Sequence, residues 1–153
     1  MLHAITKSYS VSAILLALLI HLHMNTNEKV MWVLRLGVAG EFLGHGALAL
    51  EGKATWVGWI EQILGVSTGV ASNLLSLIGL FDILTAIIVL LAPIPAFVLW
   101  AAIWGFWTAL LRPLVGESGW DFIERFANWA APFALLIMMG IPKKTIDWFR
   151  ISK

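Results

Sequence analysis

Glu41 and His45 stand four residues apart in the apolar run from Met31 to Leu50, and Arg35 precedes Glu41 by six residues. At roughly 100° per residue, Glu41 and His45 are separated by about 40° around a helix axis and Arg35 lies about 80° beyond His45, so the three share one arc. The run is long enough to cross a bilayer. An ionised group facing lipid at that depth is strongly penalised, so these side chains are expected to face a partner helix, water or a bound ligand. A carboxylate that accepts from an imidazole fixes its tautomer and leaves the other ring nitrogen available. Glu41 and His45 thus read as a ligand-binding or proton-exchanging pair. The alternative is a satisfied polar core that only fixes packing and register. Gly37, Gly40, Gly44 and Gly46 serve either reading, because small residues let a helix or a flat ligand approach the backbone.

The remaining polar residues of the apolar runs form the expected structural core. Asp82 shares a face with Gly79 and Thr85 and is the expected counter-charge for Arg35, or for Arg112 if a hairpin brings it near. Trp100, Trp104 and Trp107 form one stripe, which more often packs or anchors at the lipid interface than binds a cofactor. Trp104 is the exception, because it falls near mid-span, where an aromatic wall can stack a quinone or pigment ring. In the last run Glu124 and Asn128 share a face and Arg125 lies beside them, placed for a lipid headgroup or a partner subunit. Asp121 reads as a helix cap. His21 and His23 point apart on a helix, so no metal site is expected there, and no catalytic residue is assigned anywhere in the chain.

Sixty per cent of the 153 residues are hydrophobic and 12% are charged, which excludes an ordinary soluble domain. The formal net charge of +1, without a basic face, excludes nucleic acid as a partner. The basic residues gather at the C-terminus, where Lys143, Lys144, Arg150 and Lys153 face only Asp147, so that end is expected in the cytoplasm. The chain has no cysteine, which removes disulfides, thiolate metal sites, Fe–S clusters and dithiol relays. Gly52-Lys53-Ala54-Thr55 lacks the upstream glycine and the hydroxyl residue directly after lysine that a phosphate loop needs.

Residues 31–50, 73–92, 94–115 and 122–141 read as spanning helices, since a lone apolar segment in lipid must satisfy its backbone internally. Pro93-Ile94-Pro95 breaks the chain tightly between the second and third spans, which predicts an antiparallel hairpin. Trp56, Ile60, Ile63 and Leu64 recur at helical spacing and predict a short interfacial helix, followed by a flexible passage over residues 65–69. The stretch of residues 4–24 is just long enough to span, and no small-residue cleavage site follows it. A fifth spanning helix is expected there, with a surface-lying helix as the alternative. The expected fold is an all-α integral membrane four-helix bundle with an additional N-terminal helix, five hydrophobic helices in all, and a short interfacial helix. Residues 1–29 form the N-terminal helix and turn, and residues 30–153 form the bundle with its basic tail.

Leu34-Arg35-Leu36-Gly37, followed by Phe42, Gly44-His45-Gly46 and Leu48, resembles the first-helix pattern of the DoxX/DoxD-like membrane proteins. Ile78-Gly79-Leu80-Phe81-Asp82 is similar to that family's second-helix glycine motif. The resemblance covers roughly residues 30–141 and implies a four-helix bundle. Some relatives are subunits of thiosulfate:quinone oxidoreductase, and many have no assigned activity. The expected role is an accessory subunit of a membrane oxidoreductase, with a quinone-, pigment- or lipid-facing pocket between the first three spans and bound lipid as a further occupant. With neither thiolates nor a pair of facing histidines for haem, the chain does not read as a complete electron-transfer enzyme. A purely structural subunit and a small proton-coupled carrier, in which Glu41 titrates, are the alternatives. Expected partners are membrane lipid and other membrane subunits or further copies of the chain. The expected location is a bacterial or archaeal inner or plasma membrane.

Overall fold

A computed structural model describes residues 24–152, and the helix expected over residues 4–24, with His3, His21 and His23, falls outside them but for Met24. Asn25 starts helix α1 (Thr26–Leu50) with a capping box: its side chain accepts from the Glu28 N–H at 3.0 Å, and the Glu28 carboxylate accepts from the Asn25 N–H at 2.7 Å. After Gly52 the chain forms α2 (Ala54–Leu64), which stops at Gly65, where a φ of 63° needs a residue without Cβ. Helix α3 (Thr68–Leu91) and helix α4 (Pro95–Leu114) are joined by Ala92, Pro93 and Ile94, with Pro95 at the first helical position, where its missing N–H costs nothing. A second capping box, Ser118 with Asp121, opens the short α5 (Gly119–Ile123), and α6 (Phe126–Met139) follows. A 3-10 turn, Thr145–Phe149, leads to the end of the described chain, where the Ser152 N–H donates to Pro93 O at 2.9 Å.

Helices α1, α3, α4 and the α5–α6 pair are each long and apolar enough to cross a membrane. The chain is therefore an all-α integral membrane bundle. Val33, Leu77 and Leu91 are among many large apolar side chains left exposed along these helices. Outward faces of this kind suit lipid, and in water they would form patches too large for a soluble monomer.

The short Pro-Ile-Pro turn is where the sequence predicts it, yet α3 and α4 touch each other little. The main packing pairs are α1 with α3, α4 with α6, and α1 with α6. Backbone approach explains the choice of partners. A Cβ on Gly46 would meet Gly79 O at 2.7 Å, and one on Gly79 would meet Gly46 O at 2.8 Å, so α1 and α3 meet at paired glycines. Gly105 of α4 lies against Asn128 O of α6 in the same way. Pro132 has no N–H to offer that carbonyl, four residues earlier in α6. Between α3 and α4 the gap is filled by rings instead: Phe81 stacks on Phe97 at 6.1 Å and meets Trp100 edge-on at 5.4 Å.

Two apolar clusters result. Val38, Phe42, Val89, Val98, Leu135 and Leu136 belong to the larger one, toward the α3–α4 turn. Ala49, Val57, Ala71 and Leu75 form the smaller one under α2.

Three boundaries differ from the sequence reading. The turn expected before residue 30 is instead the cap and first turn of α1, because the Asn25–Glu28 capping box starts the helix at Thr26. The predicted flexible passage shrinks to Gly65, Val66 and Ser67, because Thr68 and Gly69 already belong to α3. The fourth span is interrupted at Glu124 and Arg125, where φ −99° and ψ 15° at Arg125 leave the helical region.

Candidate functional site

Because α3 and α4 stay apart at the end where α2 lies, the bundle encloses a cavity of about 220 Å³ there. Helix α2 roofs it with Trp56, Trp59, Ile60 and Ile63, the apolar face that its sequence spacing defines. Leu75, Ile78 and Asp82 of α3 form one wall, and Trp104, Trp107, Leu111 and Arg112 of α4 form the opposite one. His45 of α1, together with Arg125 and Asn128 at the start of α6, completes it.

His45 and Asp82, expected on facing helices, are brought to this one space. The His45 ring meets Trp56 edge-on, with centroids 5.6 Å apart and planes at 89°. Asp82 is 3% exposed, and Trp104 is within side-chain hydrogen-bonding reach of its carboxyl. Trp104 also stacks in parallel on Trp100, with centroids 5.4 Å apart and planes at 14°, which supports its ring where it lines the cavity. At the other end of the cavity Arg112 lies over Trp59 at 5.0 Å and pairs with Glu117 at 2.9 Å, while its buried Nε has no hydrogen-bond partner among the described residues. Arg125 donates to Asp121 O at 2.9 Å and pairs with its neighbour Glu124. Arg112, Arg125 and Lys53 surround His45 closely enough to act on it electrostatically.

Other expected contacts are not made. Glu41 does not line the cavity, and no hydrogen bond joins it to His45 among the described residues. Its Oε1 is buried without a partner, in electrostatic reach of Asp82. Helical spacing places Glu41 and His45 on adjacent parts of α1 but does not set their rotamers, and the imidazole turns to Trp56 instead.

Arg35 is not the counter-charge of Asp82. Its Nε donates to Val89 O at 3.1 Å, another of its nitrogens donates to Leu90 O, and the guanidinium lies over Trp32 at 4.1 Å. The last carbonyls of α3 have no intrahelical donor and carry the negative end of the helix dipole, which attracts the cation there. Arg112 does not pair with Asp82 either, because Glu117 is nearer in the chain and holds it. Glu124 is engaged by Arg125 and stays exposed, away from the cavity.

Trp56 was legible only as part of the apolar face of an interfacial helix, and Trp59, three residues on, was not singled out. Their role in the roof follows from where α2 folds back. Among the described residues, no group of three or more His, Asp or Glu side chains is placed to hold a metal ion. Chemically, the site is a Trp-walled apolar chamber with one buried acid at depth and two guanidiniums at its other end. No protein-family model, no curated protein and no solved structure matches this chain.

Proposed function

We propose that this membrane protein is an accessory subunit of a larger oxidoreductase or electron-transfer assembly, and that it holds an amphiphile of quinone, pigment or lipid class in the cavity under α2. The observation that carries the binding half is the cavity itself. It is apolar, aromatic-walled and roofed, with a few convergent polar groups that orient an occupant. Trp104, stacked on Trp100, presents a flat face for a ring, and Asp82 and His45 supply hydrogen-bonding partners beside it. The oxidoreductase half rests on the resemblance to DoxX/DoxD-like proteins. A chain without cysteine leaves thiolate-held redox centres to other subunits. In this reading the C-terminus is cytoplasmic and the cavity lies in the opposite half of the bilayer.

Glu41 favours a second reading. A buried, unpartnered carboxyl oxygen near another intramembrane acid suits a proton-coupled carrier, in which Glu41→Gln abolishes uptake into vesicles while leaving ligand binding intact.

Mild solubilisation of native membranes followed by mass spectrometry of the intact assembly tests the leading reading. Redox-active partner subunits and a bound amphiphile are expected, and Trp104→Ala should release the amphiphile without dispersing the partners. A chain isolated alone and free of any bound amphiphile would refute it.

A further inference from the structure

The cavity's charges are segregated. Trp104 and Arg112 both line it, eight residues apart on α4, which is about 12 Å of helix at 1.5 Å per residue. Asp82 accompanies Trp104 at depth, whereas Arg112 and Arg125 approach from two different helical segments at the membrane-surface end. The carboxylates that pair with these arginines, Glu117 and Glu124, do not line the cavity. The cavity side of this end thus presents the guanidiniums rather than their carboxylates, and Lys53, over Trp56 at 4.7 Å, adds a third cation close by. Arg112 is held in place by Trp59 on one side and Glu117 on another, with its side chain only 15% exposed. Among the described residues only one nitrogen of each guanidinium, an Nη, is hydrogen-bonded, so each keeps N–H donors that an anionic oxygen in the cavity can take. Guanidinium donors match the oxygens of phosphate and carboxylate in geometry as well as charge.

We infer that the cavity takes an acidic-headed amphiphile, its phosphate or carboxylate held between Arg112 and Arg125 and its apolar body laid against Trp59 and Trp104. This rests on reading the cavity as a ligand site and narrows its occupant. A neutral quinone offers the two guanidiniums no charge beyond the carboxylates they already pair with, whereas an acidic lipid or a long-chain carboxylate adds a charge-assisted acceptor on the cavity side and still fills the apolar chamber.

The test is a native mass-spectrometry titration of the full chain in a neutral detergent, using phosphatidylglycerol, oleate, decylubiquinone and inorganic phosphate as probes. Phosphatidylglycerol or oleate is expected to load one saturable copy, whichever binds more tightly identifying a phosphate or a carboxylate head. Arg112→Gln and Arg125→Gln should each weaken that loading roughly tenfold, the order of one charge-assisted hydrogen bond. Arg112→Lys, which keeps the charge, should recover part of it in a chain whose helical circular dichroism is unchanged. Ile78→Trp, which fills the cavity, should abolish it. Inorganic phosphate binding as tightly as the amphiphiles would overturn the inference in favour of a free-anion site. Decylubiquinone loading that Ile78→Trp abolishes and the arginine variants leave intact would overturn the acidic head while keeping the cavity as a ligand site. Failure of all four probes to load, in the wild type and in Ile78→Trp alike, would remove both readings.

Discussion

Arg35 shows what a sequence discloses about a single residue and what it withholds. Its charge and its depth in an apolar run are enough to require an inward-facing partner, and the structure supplies one. The partner is a pair of main-chain carbonyls at Val89 and Leu90, some 54 and 55 residues away, which no side-chain inventory reveals. Asp82 offers the obvious opposite charge, but it lies seven residues before Val89 on α3, about 10 Å by helical rise. The two sites are therefore energetically separate. Arg35→Gln should destabilise the solubilised protein by about 1–3 kcal/mol through the orphaned carbonyls, and Asp82→Asn should have its own, independent effect. In thermal unfolding in detergent the double variant should match the sum to within about 0.5 kcal/mol. A clearly sub-additive loss would mean that the two side chains do meet.

Element by element, the helices were legible because apolar length and proline punctuation act locally, and their partners were not because packing is decided by shape. Apolar runs locate α1, α3, α4 and α6, the Pro93-Ile94-Pro95 turn falls where it is read, and the α2 pattern yields a helix over Ala54–Leu64. The break at Glu124 and Arg125 falls on an adjacent charged pair that spacing alone reads as one helical face, and the interruption arises where the Arg125 side chain turns back to Asp121 O. Which face of α2 covers the cavity was visible in its spacing; that the face covers anything depends on the turn at Gly65. The φ of 63° there is a left-handed conformation that a β-branched residue adopts only with strain. Among the described residues nothing lies within 4 Å of a Cβ at Gly65, so the strain there is conformational. Gly65→Val is expected to cost about 1–2 kcal/mol and to raise the Kd of whatever occupies the cavity, because it shifts the roof and leaves the walls untouched. Titration of the variant with the bound amphiphile identified from native membranes checks this, and an unchanged Kd would show that α2 is not part of the binding surface.

At the scale of the whole molecule, the bundle is two glycine- or proline-assisted helix pairs, α1 with α3 and α4 with α6, that diverge around rings and leave a chamber at one end. Neither the chamber nor its contents follow from composition. They follow from α3 and α4 being consecutive in the chain yet poorly packed together, a property of the assembled surfaces. Orientation decides what the chamber can meet. The Ser152–Pro93 hydrogen bond ties the C-terminal segment to the α3–α4 turn, and α2 with both arginines lies at the opposite end. If the basic C-terminal segment sits in the cytoplasm, the arginine end of the cavity faces the outer leaflet and its ligand must come from there. Because the chain has no cysteine, single substitutions report this cleanly. A membrane-impermeant maleimide should label the Glu51→Cys variant, in the exposed turn between α1 and α2, in intact cells. It should label the Lys144→Cys variant, in the exposed segment after α6, only after permeabilisation. The reverse pattern would turn the cavity toward the cytoplasmic leaflet and move the source of its ligand, with the positive-inside tendency then outweighed by residues ahead of α1.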